Sequence, residues 1–129
     1  MINGRITRQG IYFEIDLITS DGELIPVDAL FDTGFTSGIL GIHAQDVEAL
    51  GWQYIATERG VPTANGEADF LIDRGQVFVD EHQIEVPVFV GQFPEIDRVI
   101  LGYQALELFY ITFDNKQNIA TLEVKLARQ

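Results

Sequence analysis

The sequence predicts a mainly β protein, a barrel or folded sheet carrying one or two short helices, and three observations lead there. About eight short segments are apolar with period-two alternation or are bounded by turn residues. The connections between them carry hairpin chemistry, with Asp21-Gly22, Asn65-Gly66 and Asp114-Asn115 as the clearest cases. No strand alternates with a long helix, as a βαβ chain would require. At 129 residues, with no repeat, linker or low-complexity tract, the chain is expected to form one domain over residues 1–129. An apolar fraction of 47%, with nine Phe and four Tyr, suits an aromatic-rich β core.

The elements follow in order. Ile11, Phe13, Ile15 and Leu17 alternate with Tyr12, Glu14, Asp16 and Ile18, and Ser20-Asp21-Gly22 turns the chain. The return strand runs from Leu24 to Phe31, with Pro26 arguing for a local edge because proline cannot donate to a ladder. A glycine-containing turn leads to the short apolar segment Ile39 to Ile42, and Ala44 to Leu50 reads as a brief helix stopped by Gly51. Trp52 to Thr57 and Ala68 to Ile72 flank Asn65-Gly66, a two-residue hairpin signal on moderately apolar flanks, which suits an exposed ribbon. Gln76 to Val79 and Ile84 to Val90 surround a turn at Asp80-Glu81-His82, with Pro87 again marking an edge. Val99 to Gly102 is an apolar triplet closed by glycine, and Tyr103 to Phe109 fits a short helix. Ile111 to Phe113 and Ile119 to Val124 make a last hairpin.

Composition narrows the chemistry. A net charge of -12 repels phosphate backbones and anionic lipid, so neither nucleic acid nor membrane is an expected partner. No apolar h-region opens the chain and nothing approaches a spanning length, which predicts a soluble, cytoplasmic protein. Without cysteine there is no thiolate nucleophile or thiolate zinc site. His43 and His82 lack ligand spacing and read as turn or helix-start residues, so no metal and no cofactor is expected. Ser37 is flanked at plus and minus two by Phe35 and Ile39, not by the glycines of a nucleophile elbow. Gly34, Gly38 and Gly41 fit neither a dinucleotide fingerprint nor a P-loop.

One stretch remains, ALFDTGFTSGIL at residues 29–40, in which an apolar strand delivers Asp32 into a glycine-punctuated turn. A carboxylate at the end of such a strand is costly unless paired, hydrogen-bonded or catalytic. Asp32-Thr33-Gly34 alone is equally a solvated turn, with Asp32 capping its own loop through an Asx hydrogen bond.

Three landmarks in order carry a resemblance: Asp32-Thr33-Gly34-Phe35, the hairpin tip Ala64-Asn65-Gly66-Glu67, and Ile100-Leu101-Gly102. Together they resemble the retropepsin-like aspartic proteases, single-lobe relatives of pepsin, and in particular a bacterial and archaeal group whose active-site loop reads Asp-Thr-Gly-Phe. The resemblance spans about Ile11 to Glu123. It implies a single-lobe acid-protease barrel whose Asp-Thr-Gly loop is braced by Ile100-Leu101-Gly102 and covered by a flap at Ala64 to Glu67. It further implies that Asp32 is catalytic, supported by Thr33, Gly34 and Phe35. Because the tripeptide occurs once, a second carboxylate comes only from a second copy, so the implied enzyme is a homodimer acting on a peptide or protein substrate. Thr33 would reach across the two-fold axis, and Gly34 would bring a backbone N–H to the carboxylate. Better-known relatives follow the glycine with Ser, Thr or Ala, so Phe35 is a departure that would narrow the cleft. Phe31, Ile100 and Leu101 are candidates both for substrate pockets and for core. The rival reading is a dimeric binding or scaffolding module with the same fold and no catalysis.

Overall fold

The structure, a computed structural model, describes residues 1–63, 65–92 and 99–125. Eleven strands are present among these residues: β1 (Ile2–Asn3), β2 (Arg5–Ile6), β3 (Ile11–Ile18), β4 (Leu24–Asp32), β5 (Leu40–His43), β6 (Gln53–Thr63), β7 (Gly66–Val79), β8 (His82–Gly91), β9 (Val99–Gly102), β10 (Phe109–Asp114) and β11 (Ile119–Val124). A single turn of α-helix, α1 (Ala44–Val47), runs into a 3-10 turn at Glu48–Leu50, and a second 3-10 helix spans Tyr103–Glu107. The mainly β architecture expected from the pattern is therefore observed. No helix among the described residues is long and apolar enough to cross a membrane.

Eight strands form one sheet in the order β2-β3-β4-β9-β5-β8-β7-β6. Strand β3 also pairs with β7, through Asp16 opposite Phe78 and Leu17 opposite Val77, which bends the sheet back on itself into a barrel. The alternation in β3 explains the bend's interior: Phe13, Ile15 and Leu17 are buried, whereas Glu14 is exposed. They join Val77, Val79, Val86, Val88, Leu101 and Leu122 in the main core. A second sheet, β1-β11-β10, packs its inner residues Phe109, Ala120 and Leu122 onto the same core.

Local signals account for most element ends. His43 caps α1 by accepting the Gln45 N–H at Nδ1, and Gly51 ends the following turn in the left-handed region with φ 70°. Pro26 sits where β4 pairs only with β3, and Pro87 lies one residue before β5 begins to pair with β8, so neither removes a needed ladder bond. Other features differ from the sequence reading. The two-residue strands β1 and β2 carry too little pattern to stand out from a chain read by period. Strand β7 is one continuous strand from Gly66 to Val79, not two, because Phe70 and Ile72 bury under one part of the molecule and Val77 and Val79 under another. Strand β6 absorbs the twist with register shifts between Tyr54 and Ala56 and between Glu58 and Val61.

The turn between β7 and β8 ties three parts of the chain together. Asp80 and Glu81 adopt positive φ (50° and 64°), as a tight two-residue hairpin requires. The Asp80 carboxylate accepts hydrogen bonds from the Met1 amine and from the Val124 N–H, the latter at 3.1 Å. These bonds, the amine's first, hold the Asp80 carboxyl below its ordinary value of 3.8. A depressed folded value means that the contribution is complete above the unfolded value and is lost as pH falls through the folded one. Thermal midpoints between about pH 2 and pH 6 are therefore expected to fall more steeply on the acid side for the wild type than for Asp80→Asn. In the main core, Leu122→Ala is expected to cost about 2–5 kcal/mol in urea unfolding, since Leu122 is fully buried.

Candidate active site

Asp32 is the last residue of β4, and its neighbours follow from how the strands are threaded. Strands β4 and β5 are consecutive in the chain, yet β9 lies between them, parallel to β4 and antiparallel to β5. Residues 33–39 must therefore cross the end of β9. The register places Leu30 beside Ile100, Phe31 beside Leu101 and Asp32 beside Gly102. The structure thus brings together the first and third of the landmarks singled out from the sequence.

The crossing is held by backbone donors from the segment after β9. Gly102 N–H donates to the Ile39 carbonyl at 2.9 Å, Tyr103 N–H to Phe35 at 2.9 Å, and Gln104 N–H to Gly38 at 3.2 Å. The Gln104 side chain adds a bond from Nε2 to the Thr36 carbonyl at 3.1 Å. These bonds use up four carbonyls of a loop that would otherwise have to find water. Gly102 is obligatory here: a Cβ on it would lie 2.2 Å from the Gly38 carbonyl oxygen and 2.8 Å from that of Phe35.

Within the loop, the Asp32 Oδ1 accepts the Gly34 N–H at 2.9 Å, and the Phe35 N–H donates to the Asp32 carbonyl at 3.2 Å. The Asx bond expected of a plain turn is therefore present, but it sits inside a braced crossing that a plain turn lacks. A Cβ on Gly34 would meet Asp32 Oδ1 at 3.1 Å, so glycine lets the backbone approach the carboxylate. Asp32 is half-buried, while Thr33 and Gly34 are exposed. The carboxylate is presented at the surface on a loop whose base is fixed.

The remaining residues separate into two groups. Ile100 and Leu101 are both buried, but in different places: Leu101 in the main core, Ile100 in a second cluster with Phe35, Val61, Phe70, Ile72 and Phe89. Phe31 is half-buried against the main core. Phe35, expected to narrow the cleft, is instead only 5% exposed, its ring turned into that second cluster. Hairpin β6–β7 is the ribbon to which the resemblance gives the role of flap. Its register pairs Thr63 with Gly66, so Gly66 already belongs to the ladder. Thr63 Oγ1 accepts the Asn65 N–H and donates to the Gly66 carbonyl, so its hydroxyl serves the backbone on both sides of the pair. Asn65, Gly66 and Glu67 are exposed, and Ala64 lies outside the described residues.

Gln104, Phe70 and Phe89 were not singled out in the sequence. Gln104 gives no signal beyond standing two residues after Gly102, and the two rings read as ordinary strand residues.

A carboxylate on a strand-end loop, braced by a hydrophobic-hydrophobic-glycine strand and accompanied by a long hairpin, defines a retropepsin-like fold. The chain is similar to a retropepsin-like aspartic protease from Rickettsia conorii, known from a crystal structure. The two match with a TM-score of 0.61 and 22% identity over 94% of this chain and 88% of that one. No protein-family model matches the chain, and no match was found among curated proteins.

The brace gives a direct test. Gly102→Ala is expected to cost about 3 kcal/mol or more, because its methyl group meets backbone that cannot yield. Gln104→Ala removes one side-chain bond and is expected to cost about 1 kcal/mol. Chemical denaturation of the two variants beside the wild type measures both.

Proposed function

We propose that the chain is an aspartic endopeptidase that acts as a homodimer, with one Asp32 from each subunit forming the catalytic pair. The observation that carries this reading is the placement of Asp32: a half-buried carboxylate that accepts the Gly34 N–H on a loop braced by Gly102, in a retropepsin-like fold. One carboxylate cannot perform the reaction. Two of them sharing a single proton can act together, one removing a proton from the attacking water while the other donates one to the peptide carbonyl oxygen. Collapse of the resulting tetrahedral species breaks the C–N bond, and the leaving nitrogen takes up a proton from the pair. The sequence contains the tripeptide once, so the second carboxylate comes from a second copy related by a two-fold axis.

In this reading the Asp32 carboxylates of the two subunits lie about 3 Å apart, in hydrogen-bond reach. Thr33, exposed beside them, faces the partner's loop, and the half-exposed Tyr103, anchored on the Phe35 carbonyl, is covered by the partner. Hairpin β6–β7 closes over an extended peptide and excludes water from the attack. Each subunit brings a charge of -12, so bringing two together costs repulsion that salt screens.

The test compares the wild type with Asp32→Asn on a peptide library from about pH 3 to pH 8. Cleavage by the wild type and a loss of at least about a hundredfold in Asp32→Asn is the expected result. Equal turnover in the two, or none in either, contradicts the proposal and favours the non-catalytic binding module. Sedimentation is expected to show a dimer that tightens as ionic strength rises.

A further inference from the structure

Two hydrophobic clusters exist among the described residues, and the smaller one joins the Asp32 loop to the hairpin. Phe35 comes from the loop, Val61 from β6, Phe70 and Ile72 from β7, Phe89 from β8 and Ile100 from β9, with Ala56 and Ala68 packed against them. Its centre is three rings. Phe35 meets Phe89 edge to face, with centroids 5.3 Å apart at 83°, and lies 6.3 Å from Phe70 at 46°. Phe70 and Phe89 are 5.8 Å apart at 63°. Such geometries add to simple burial because ring edges meet ring faces.

Glycines clear the space. A Cβ at Gly38 would come within 2.9 Å of the rings of Phe35 and Phe89, and one at Gly91 within 2.4 Å of Phe70. The rings therefore occupy room that any side chain at those positions would fill, and the loop and hairpin strands are locked to one another through them.

On the hairpin side, the cluster straddles the second register shift. Val61 faces Ala68 in the ladder, and Phe70 faces Glu58 on the other side of that shift. At the shift itself Gly60 has φ 65°, and its N–H is taken by the Asp69 carboxylate at 3.0 Å. Swinging the hairpin away from the loop would strip Phe70 from Phe35 and take Val61 out of the cluster they share.

We infer that Phe35 is a positioning residue: through Phe70 and Val61 it sets the resting position of the hairpin over the Asp32 loop and how often that hairpin opens. Phe35 touches no reacting atom in this assignment. Its link to catalysis rests on the aspartic protease reading, but its effect on the hairpin does not. The ring at position 35 is the link between the loop and the hairpin.

The experiment is amide hydrogen exchange on the wild type, Phe35→Ala and Phe35→Leu, each also in an Asp32→Asn background. Removing the ring is expected to raise exchange of the hairpin amides of Val61, Thr63 and residues 66–70 about tenfold, with those of β3 and β11 unchanged. Phe35→Leu, which keeps apolar volume, is expected to return most of the protection and covers the case in which Phe35→Ala does not fold. The same changes are expected with Asp32→Asn, since they do not need the catalytic pair. Unaltered hairpin exchange in both substitutions, or a rise that is equal in β3 and β11, overturns the inference. If the library is cleaved, KM is expected to rise about tenfold in Phe35→Ala with kcat changed by less. A fall in kcat alone would contradict a positioning role. If nothing is cleaved, the protease reading fails while the exchange result still decides this one.

Discussion

Everything at the candidate site depends on one close approach, that of the Gly102 backbone to the carbonyls of Phe35, Gly38 and Ile39. The approach exists because β9 is inserted between β4 and β5, so the connection between those two strands has to pass over the end of β9. A connection crossing a strand end buries backbone carbonyls, and buried carbonyls need donors. The N–H groups of Gly102, Tyr103 and Gln104 supply them, at distances of 2.9 to 3.2 Å. With its base fixed, the loop can carry a half-buried carboxylate at its start without relying on a salt bridge, the Gly34 N–H serving as its partner. Strand order thus determines where the charge that stood out in the sequence ends up.

The same threading divides the apolar residues. The barrel interior, with Phe13, Leu40, Val88 and Leu122, holds the strands together and has no contact with solvent. The smaller cluster around Phe35, Phe70 and Phe89 lies where loop and hairpin meet. Stability and site geometry are in this way carried by different sets of side chains. A substitution in the barrel acts on the whole molecule, whereas one in the smaller cluster acts first on the relation between the Asp32 loop and the ribbon. Regions with fewer buried contacts open more readily than the core, and the end of the hairpin beyond Leu71, where β7 no longer pairs with β8, has only the smaller cluster beneath it.

Much of the fold was legible because period-two burial is strong where one face of a strand is covered. Strand β3 follows its alternation from Phe13 to Leu17, and the helix ending at Gly51 follows from its stop signal. The pairing of Thr63 with Gly66 could not be read from the Asn-Gly signal, which does not include the bonds of the Thr63 hydroxyl to Asn65 and Gly66. The continuous β7 was invisible because its buried face changes between Ile72 and Val77 as the strand leaves one cluster for the other. For the site, Asp32 and its glycine brace could be read from residue order, since both need specific residue types. Phe35 was legible only as a departure. Its burial depends on Phe70 and Phe89, which are distant in sequence and carry no mark of their own.

The central claim is that two copies of the chain meet at the Asp32 loop. The protein contains no cysteine, so a single cysteine introduced at the exposed position Thr33 reports on that meeting without background. A disulfide forms only when the two Cα atoms come within about 7 Å. Mild oxidation of Thr33→Cys is expected to yield a covalent dimer in high yield, while a cysteine placed at the exposed, remote Glu81 yields little. If Thr33→Cys remains monomeric under conditions that cross-link Glu81→Cys, the two loops do not face each other, and the account of a shared carboxylate pair is wrong.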